Sequence, residues 1–114
     1  MLTIEMLKKF GADTEDGLKR CMNNEAFYLR LVNMGLADRN FDRLAAAVEA
    51  GRAGEAFEAA HALKGVMGNL SLTPLYEPLS KLTEALRGKD EMVDVSSELK
   101  QILALLDKVR SLTE

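Results

Sequence analysis

Apolar side chains recur along most of the chain at spacings of three and four residues, the period of an α-helix with one buried face. The last segment shows this pattern at Val95, Leu99, Ile102, Leu103, Leu106 and Val109. Sustained alternation of apolar and polar residues, which is typical of a half-buried strand, does not occur in any stretch. The pattern therefore predicts an all-α protein.

Capping residues and glycines predict the bounds of the last two helices. Asp90 follows a glycine-containing break and is a suitable N-cap for a helix near 91–112. Thr73 is typical of an N-cap, because a proline follows it at the first helical position, and Gly88 would end that helix. One apolar face of this helix comprises Leu75, Leu79, Leu82 and Leu86.

Two further helices precede these. A glycine-containing turn introduces a helix from about 54 to 70, whose predicted buried residues are Ala56, Phe57, Ala60, Leu63 and Met67. Before it, a helical rhythm over 24–50 predicts one long helix with a weak point at 38–40. Asn24 would cap this helix.

Two short helices, about 3–10 and 13–22, are predicted at the amino terminus, with Asp13 as the N-cap of the second. Four substantial amphipathic helices joined by short turns bury their apolar faces most simply as an antiparallel up-down-up-down four-helix bundle. We expect this bundle over 24–112, with the short extra N-terminal helices covering one end. No linker divides the chain, so a single domain over 1–114 is expected.

Composition narrows the classes of function. The net charge of −3 is spread over interspersed acidic and basic residues, so the basic surface expected of a nucleic-acid binder is missing. The sequence has neither a signal peptide nor a segment long enough to span a membrane, which predicts a cytoplasmic protein with no membrane partner. Cys21 is the only cysteine, so we expect a buried or half-buried structural thiol, and no metal site or cofactor.

The candidate chemistry lies around His61, the only histidine of the chain. A neutral imidazole is a good phosphoryl acceptor, because it attacks phosphorus without first losing a proton and forms a phosphoramidate that passes the group onward. Lys64 lies one helical turn away, where its ammonium group can reach a phosphate on His61. Gly65 leaves the flank of the imidazole bare, and Gly68 extends the bare strip.

Several of these residues have a second interpretation. His61 falls at the margin of the apolar face, so we expect it to be held by the core and to meet solvent. Glu58 could accept a hydrogen bond from the ring or be a solvated charge. Gly65 and Gly68 could instead allow close helix packing, and Asn69 could contact a phosphate or a docked partner, or only end the helix.

The run His61-Ala62-Leu63-Lys64-Gly65 resembles the motif His-x-Leu-Lys-Gly of the histidine phosphotransfer (HPt) domain family. The resemblance covers roughly residues 24–112. The wider pattern comprises Asn24-Glu25-Ala26-Phe27-Tyr28, the pair Ala60-His61 and the leucine-rich helix after Thr73-Pro74. Val66 and Met67 stand where the family often has small residues, and Ser71 stands where a second glycine is common.

The resemblance implies that His61 is the phosphoacceptor, that Lys64 stabilises the phosphate and that Gly65 provides docking clearance; Gly68 and Asn69 are expected to contact the partner. The implied partners are a response-regulator receiver domain, a histidine kinase or both. The implied function is that of a phosphorelay carrier and not of an autonomous enzyme.

A rival interpretation is a helical adaptor that docks a signalling partner without carrying phosphate. The start at Met1 and the extra N-terminal helices favour a free-standing protein over a module of a multidomain kinase. We expect a monomer.

Overall fold

The computed structural model describes residues 1–113, which form seven α-helices and no β-strand. The helices are α1 (Ile4–Phe10), α2 (Thr14–Arg20), α3 (Glu25–Leu36), α4 (Asn40–Glu49), α5 (Ala53–Asn69), α6 (Thr73–Leu86) and α7 (Ser96–Ser111). The predicted all-helical class is confirmed. Within residues 1–113, no helix combines the length and the apolar character needed to cross a membrane.

Two of the predicted N-caps are confirmed. The Asp13 carboxylate accepts a hydrogen bond from the backbone N–H of Asp16 at 3.1 Å, and α2 begins at the next residue. The Asn24 side chain accepts one from the N–H of Phe27 at 3.0 Å, and α3 begins at the next residue. Each side chain satisfies an amide that has no carbonyl partner within its helix.

The predicted single helix over 24–50 is wrong, because the chain breaks into α3 and α4. The break falls at the predicted weak point. The Asp38 carboxylate accepts a hydrogen bond from the N–H of Asn40 at 2.8 Å, while its own N–H donates to the carbonyl of Gly35 at 3.2 Å. These bonds form a turn between the two helices, and the short side chain of aspartate favours such a turn over a continuous helix.

The predicted start of the last helix at 91, with Asp90 as its cap, is also wrong. The Asp94 carboxylate accepts hydrogen bonds from both the N–H (3.0 Å) and the hydroxyl (2.6 Å) of Ser96, where α7 begins. Val95 remains only 1% exposed although it precedes the helix. The apolar residue predicted for the helix face therefore reaches the core from non-helical backbone.

Helix α5 packs chiefly against α4 and α6, and α6 also packs against α7. The predicted apolar face of α6 is buried at all four positions, which are Leu75, Leu79, Leu82 and Leu86. This helix begins at Thr73 with Leu72 as its N-cap residue, one position away from the prediction. These contacts hold α5, the helix that carries the candidate histidine, between α4 and α6.

The amino-terminal helices lie against the carboxyl-terminal end of α5. The N–H of Asp13 donates to the carbonyl of Ser71 at 2.9 Å, and the buried hydroxyl of Tyr28 donates to the carbonyl of Leu70 at 2.7 Å. Cys21 lies beside this end of the molecule as a buried free thiol, as predicted for a structural cysteine. These contacts place α2 next to the turn that joins α5 to α6.

Candidate functional site

His61 is exposed on α5, while its neighbour Ala60 and the next apolar residue, Leu63, are fully buried. This confirms the position predicted at the margin of the apolar face. The imidazole stacks on the ring of Phe57, with centroids 5.6 Å apart and planes inclined by 11°. Within residues 1–113, no group forms a hydrogen bond with the ring nitrogens of His61. The ring is therefore positioned by stacking on Phe57, and not by hydrogen bonds from the described residues.

The hydrogen bond considered for Glu58 is not formed. Its carboxylate instead accepts one from the Arg43 guanidinium at 3.1 Å, which ties α5 to α4. Phe57, four residues before His61, supports the imidazole instead. The spacing of four between the two rings was visible in the sequence, but Phe57 was assigned only to the core; it is half-buried.

The two glycines beside the histidine differ in their surroundings. A Cβ built on Gly65 would meet nothing within 4 Å, whereas one built on Gly68 would lie 3.0 Å from Cε1 of Tyr76 on α6. The geometry at Gly65 supports the clearance interpretation, and the geometry at Gly68 supports close packing. Asn69 is exposed at the end of α5. The docking roles of Gly68 and Asn69 stay predictions.

An open cleft of about 760 Å³ runs beside His61. Helix α5 forms its floor, with Lys64 and Gly65 close to the histidine, and Tyr76 of α6 lines one side. A further wall comes from α2 and its N-cap, at Asp13, Asp16 and Arg20. This wall was not predicted, because helical periodicity does not show which helix ends meet in space.

The turn after α5 also lines the cleft, at Ser71. Ser71 adopts a left-handed backbone conformation, with φ of +58°, and its N–H donates to the carbonyl of Gly68 at 3.1 Å. The N–H of Leu72 donates to the carbonyl of Met67 at 3.0 Å, which completes a Schellman turn. Glycine usually occupies the position of Ser71, but here the serine hydroxyl donates to the Asp16 carboxylate at 2.6 Å.

Two carboxylates near the cleft are held in their charged form. The hydrogen bond from Ser71, together with the one from Arg20, lowers the pKa of Asp16 below its ordinary value. On α6, the hydrogen bond from the Arg87 guanidinium lowers the pKa of Glu84, and the nearby charges of Lys64 and His61 lower it further. Both groups are therefore ionised at neutral pH.

Arg87 also contacts the residue that supports the histidine. Its guanidinium carbon lies 5.1 Å from the centroid of the Phe57 ring, within the range of a cation–π contact. Phe57 therefore contacts both Arg87 and His61. Within residues 1–113, no three His, Cys, Asp or Glu side chains come together as a possible metal site.

Comparison of the sequence with models of known families gives a match, and that match includes the segment around His61. The sequence model of the Hpt domain matches residues 35–112, more than half of the chain. The chain belongs to the Hpt domain family. Hpt domains are phosphocarrier modules of phosphorelays that interact with kinases and receiver domains. Comparisons with curated proteins and with solved structures gave no match.

The family predicted from the His61 motif is thus confirmed, although the match begins at residue 35 and the predicted resemblance began at 24. Helices α4 to α7 lie within the matched span. Helices α1 and α2 and most of α3 lie outside it.

Proposed function

We propose that this Hpt domain carries a phosphoryl group on His61 between a histidine kinase or a receiver-domain aspartate and another receiver domain. The observation that carries the proposal is the exposure of His61, the only histidine, inside the family motif and beside open space at Gly65. The alternative of a phosphate-free adaptor gives no reason for a reactive ring at this position.

The proposed step is an in-line transfer. A ring nitrogen of His61 attacks phosphorus of an aspartyl phosphate on the partner; the new N–P bond forms as the O–P bond breaks, and the aspartate leaves as a carboxylate. Lys64 would stabilise the charge on the phosphoryl oxygens, and the bare backbone at Gly65 would let the partner approach. The partner would supply the remaining catalytic groups, so the chain acts as a carrier.

The organisation of the fold is consistent with this function. We infer that the predicted domain over 1–114 is a single unit, since one cluster of buried apolar side chains extends from Leu2 to Val109; Glu114 lies outside the described residues. We also infer an up-down-up-down order for α4 to α7, because helices that follow each other in sequence are those that pack most closely. In this arrangement the cleft faces outward, where a partner domain has access to His61.

The experiment is phosphorylation of wild-type protein and of His61→Gln by a panel of phosphorylated receiver domains and histidine kinases. We expect acid-labile label on the wild type and none on His61→Gln, with unchanged helical circular dichroism, because His61 is exposed and contributes little to the core. Glu58→Gln, on the same helix, is the matched control and should keep its label. Label that persisted on His61→Gln would identify another acceptor, and an unlabelled wild type that still bound receivers would favour the adaptor.

A further inference from the structure

We propose that Arg20 of α2 binds a carboxylate of the receiver domain that docks over His61, and thereby contributes to the choice of partner. The occupant of the cleft is a receiver domain only if the proposed function holds, so this inference rests on that function.

The cleft wall formed by α2 lies outside the residues that the family model matches. The family match begins at residue 35, yet Asp13, Asp16 and Arg20 line the same cleft as His61. A domain that docks on His61 and extends along the cleft would therefore meet side chains that belong to this chain's own amino-terminal helices. Such side chains are suited to distinguish one receiver from another.

Helix α2 is firmly attached at this position. Asp13 and Asp16 both bond to Ser71, through the 2.9 Å backbone contact and the 2.6 Å contact from the serine hydroxyl. Gly17 faces the ring of Tyr28 so closely that an added Cβ would lie 2.5 Å from Cζ. A wall fixed in this way costs little additional ordering when a partner binds.

Arg20 has unused hydrogen-bond donors. Its Nε donates to the Asp16 carboxylate at 2.9 Å, and its side chain is 52% exposed. Neither of its terminal nitrogens bonds to any group within residues 1–113. A guanidinium whose stem is fixed and whose terminal N–H groups are free presents the planar fork that matches a carboxylate.

Arg20 is attached beyond the carboxyl end of α5, and His61 lies further back along that helix. Arg20 is bonded through Asp16 to Ser71, and the last residue of α5, Asn69, follows His61 by eight residues, or about 12 Å at the rise of an α-helix. We therefore assign Arg20 to a contact with the partner, and the phosphoramidate measurement described below tests a contact with the phosphoryl group. A typical docked surface of about 800 Å² per partner is roughly 30 Å across and covers both positions.

The test measures binding of unphosphorylated receiver domains by isothermal titration calorimetry, using the panel member with the lowest Kd for the wild type. We expect Arg20→Ala to raise this Kd about three- to tenfold and Arg20→Lys, which keeps the charge but loses the fork, to raise it less. Lys19→Ala is the matched control, because Lys19 is an exposed cation on the same helix that does not line the cleft. It should bind as tightly as the wild type.

A second measurement separates this contact from the chemistry. Phosphoramidate, a small donor that transfers its phosphoryl group to a histidine nitrogen and releases ammonia, should label wild type and Arg20→Ala at the same rate. Equal Kd values for Arg20→Ala and Lys19→Ala would overturn the inference, as would slower phosphoramidate labelling of Arg20→Ala with an unchanged Kd. Receivers that bound through Arg20 but never exchanged phosphate with His61 would overturn the proposed function and leave the Arg20 contact intact.

Discussion

Gly65 and Gly68 lie on one stretch of α5 and share a residue type, but the structure gives them different surroundings. Nothing lies within 4 Å of a Cβ built on Gly65, while the Tyr76 ring occupies that space at Gly68. A glycine in a helix costs about 1 kcal/mol relative to alanine. At Gly68 the close approach of Tyr76 explains this cost; at Gly65 no internal packing does, which supports a role toward a partner.

Replacement of Gly65 by glutamine separates clearance from packing. We expect the free energy of unfolding of Gly65→Gln to equal that of the wild type or to exceed it by up to about 1 kcal/mol, because helix propensity rises and no neighbour is displaced. Urea denaturation measures this difference. Phosphoryl transfer to and from receivers should fall, because the new side chain covers the flank of the imidazole. Gly54→Gln is the control, since Gly54 also lies in open space on α5 but two turns before His61. A destabilised Gly65→Gln that transferred normally once folded would exclude the clearance role.

Lys64 is half-buried one turn after His61, and we expect it to act on the phosphoryl group. Lys64→Ala should slow single-turnover transfer at saturating receiver by about three- to tenfold, because a partly solvated cation contributes modest stabilisation. Lys81→Ala, which removes an exposed cation of α6 outside the cleft, should transfer at the wild-type rate. Equal rates for the two variants would assign Lys64 to the solvated surface.

The exposure of His61 could be predicted from the sequence, whereas the hydrogen-bond partners of the residues near it could not. The exposure of His61 follows from its angular position beside buried residues of the same helix, which the sequence contains in full. The partner of Glu58 could not be found in this way, because Arg43 lies on another helix and approaches only when α4 packs on α5. Contacts within one helix are encoded locally, and contacts between helices are not.

The starts of the helices were likewise predictable where local sequence determines them and not where packing between helices does. The caps at Asp13 and Asn24 were predicted, because each is the suitable residue immediately before a helical pattern. Asp90 and Asp94 both precede the last pattern, and cap preferences of about 1 kcal/mol do not separate two aspartates. The buried position of Val95 fixes the choice, since the residues before Ser96 reach the core from non-helical backbone. Burial of this kind is a property of the fold and not of the local sequence.

Ser71, in the turn between α5 and α6, combines an unfavourable backbone with a favourable side-chain contact. We expect Ser71→Ala to lower the free energy of unfolding by about 1 kcal/mol, because the left-handed conformation remains while the bond to Asp16 is lost. Ser71→Gly loses the same bond but relieves the backbone, so it should be more stable than Ser71→Ala by about 1 kcal/mol. Urea denaturation of the three proteins measures both differences. Equal stability of the alanine and glycine variants would show that the turn is unstrained.

At the scale of the molecule, Tyr28 joins the amino-terminal helices to the bundle. Its fully buried ring packs on Gly17 of α2, and its hydroxyl donates to the carbonyl of Leu70 at the end of α5. Burial raises the pKa of Tyr28 to about 12, because an ionised phenol would lose its solvent there. The attachment of the cleft wall to the histidine helix therefore depends on a phenol that stays protonated.

This attachment predicts how stability changes at high pH. Below pH 10 the phenol is protonated in the folded and unfolded states, so its full contribution is present; between pH 10 and 12 only the unfolded state ionises, so stability falls as pH rises. The loss attributable to Tyr28 should be on the order of 2 kcal/mol by pH 12. Tyr28→Phe, which lacks the hydroxyl, should be less stable than wild type by about 1 kcal/mol at pH 8.

The difference between the two proteins, followed by urea denaturation from pH 8 to 12, isolates this residue. All other ionisable side chains are common to both proteins and cancel in the difference, so the wild-type advantage should shrink above pH 10 and reverse by pH 12, where Tyr28→Phe becomes the more stable protein. A constant advantage up to pH 12 would mean that Tyr28 ionises alike in both states. The hydrogen bond from its hydroxyl would then still stabilise the fold, but burial would not raise the pKa of Tyr28 above its value in the unfolded state.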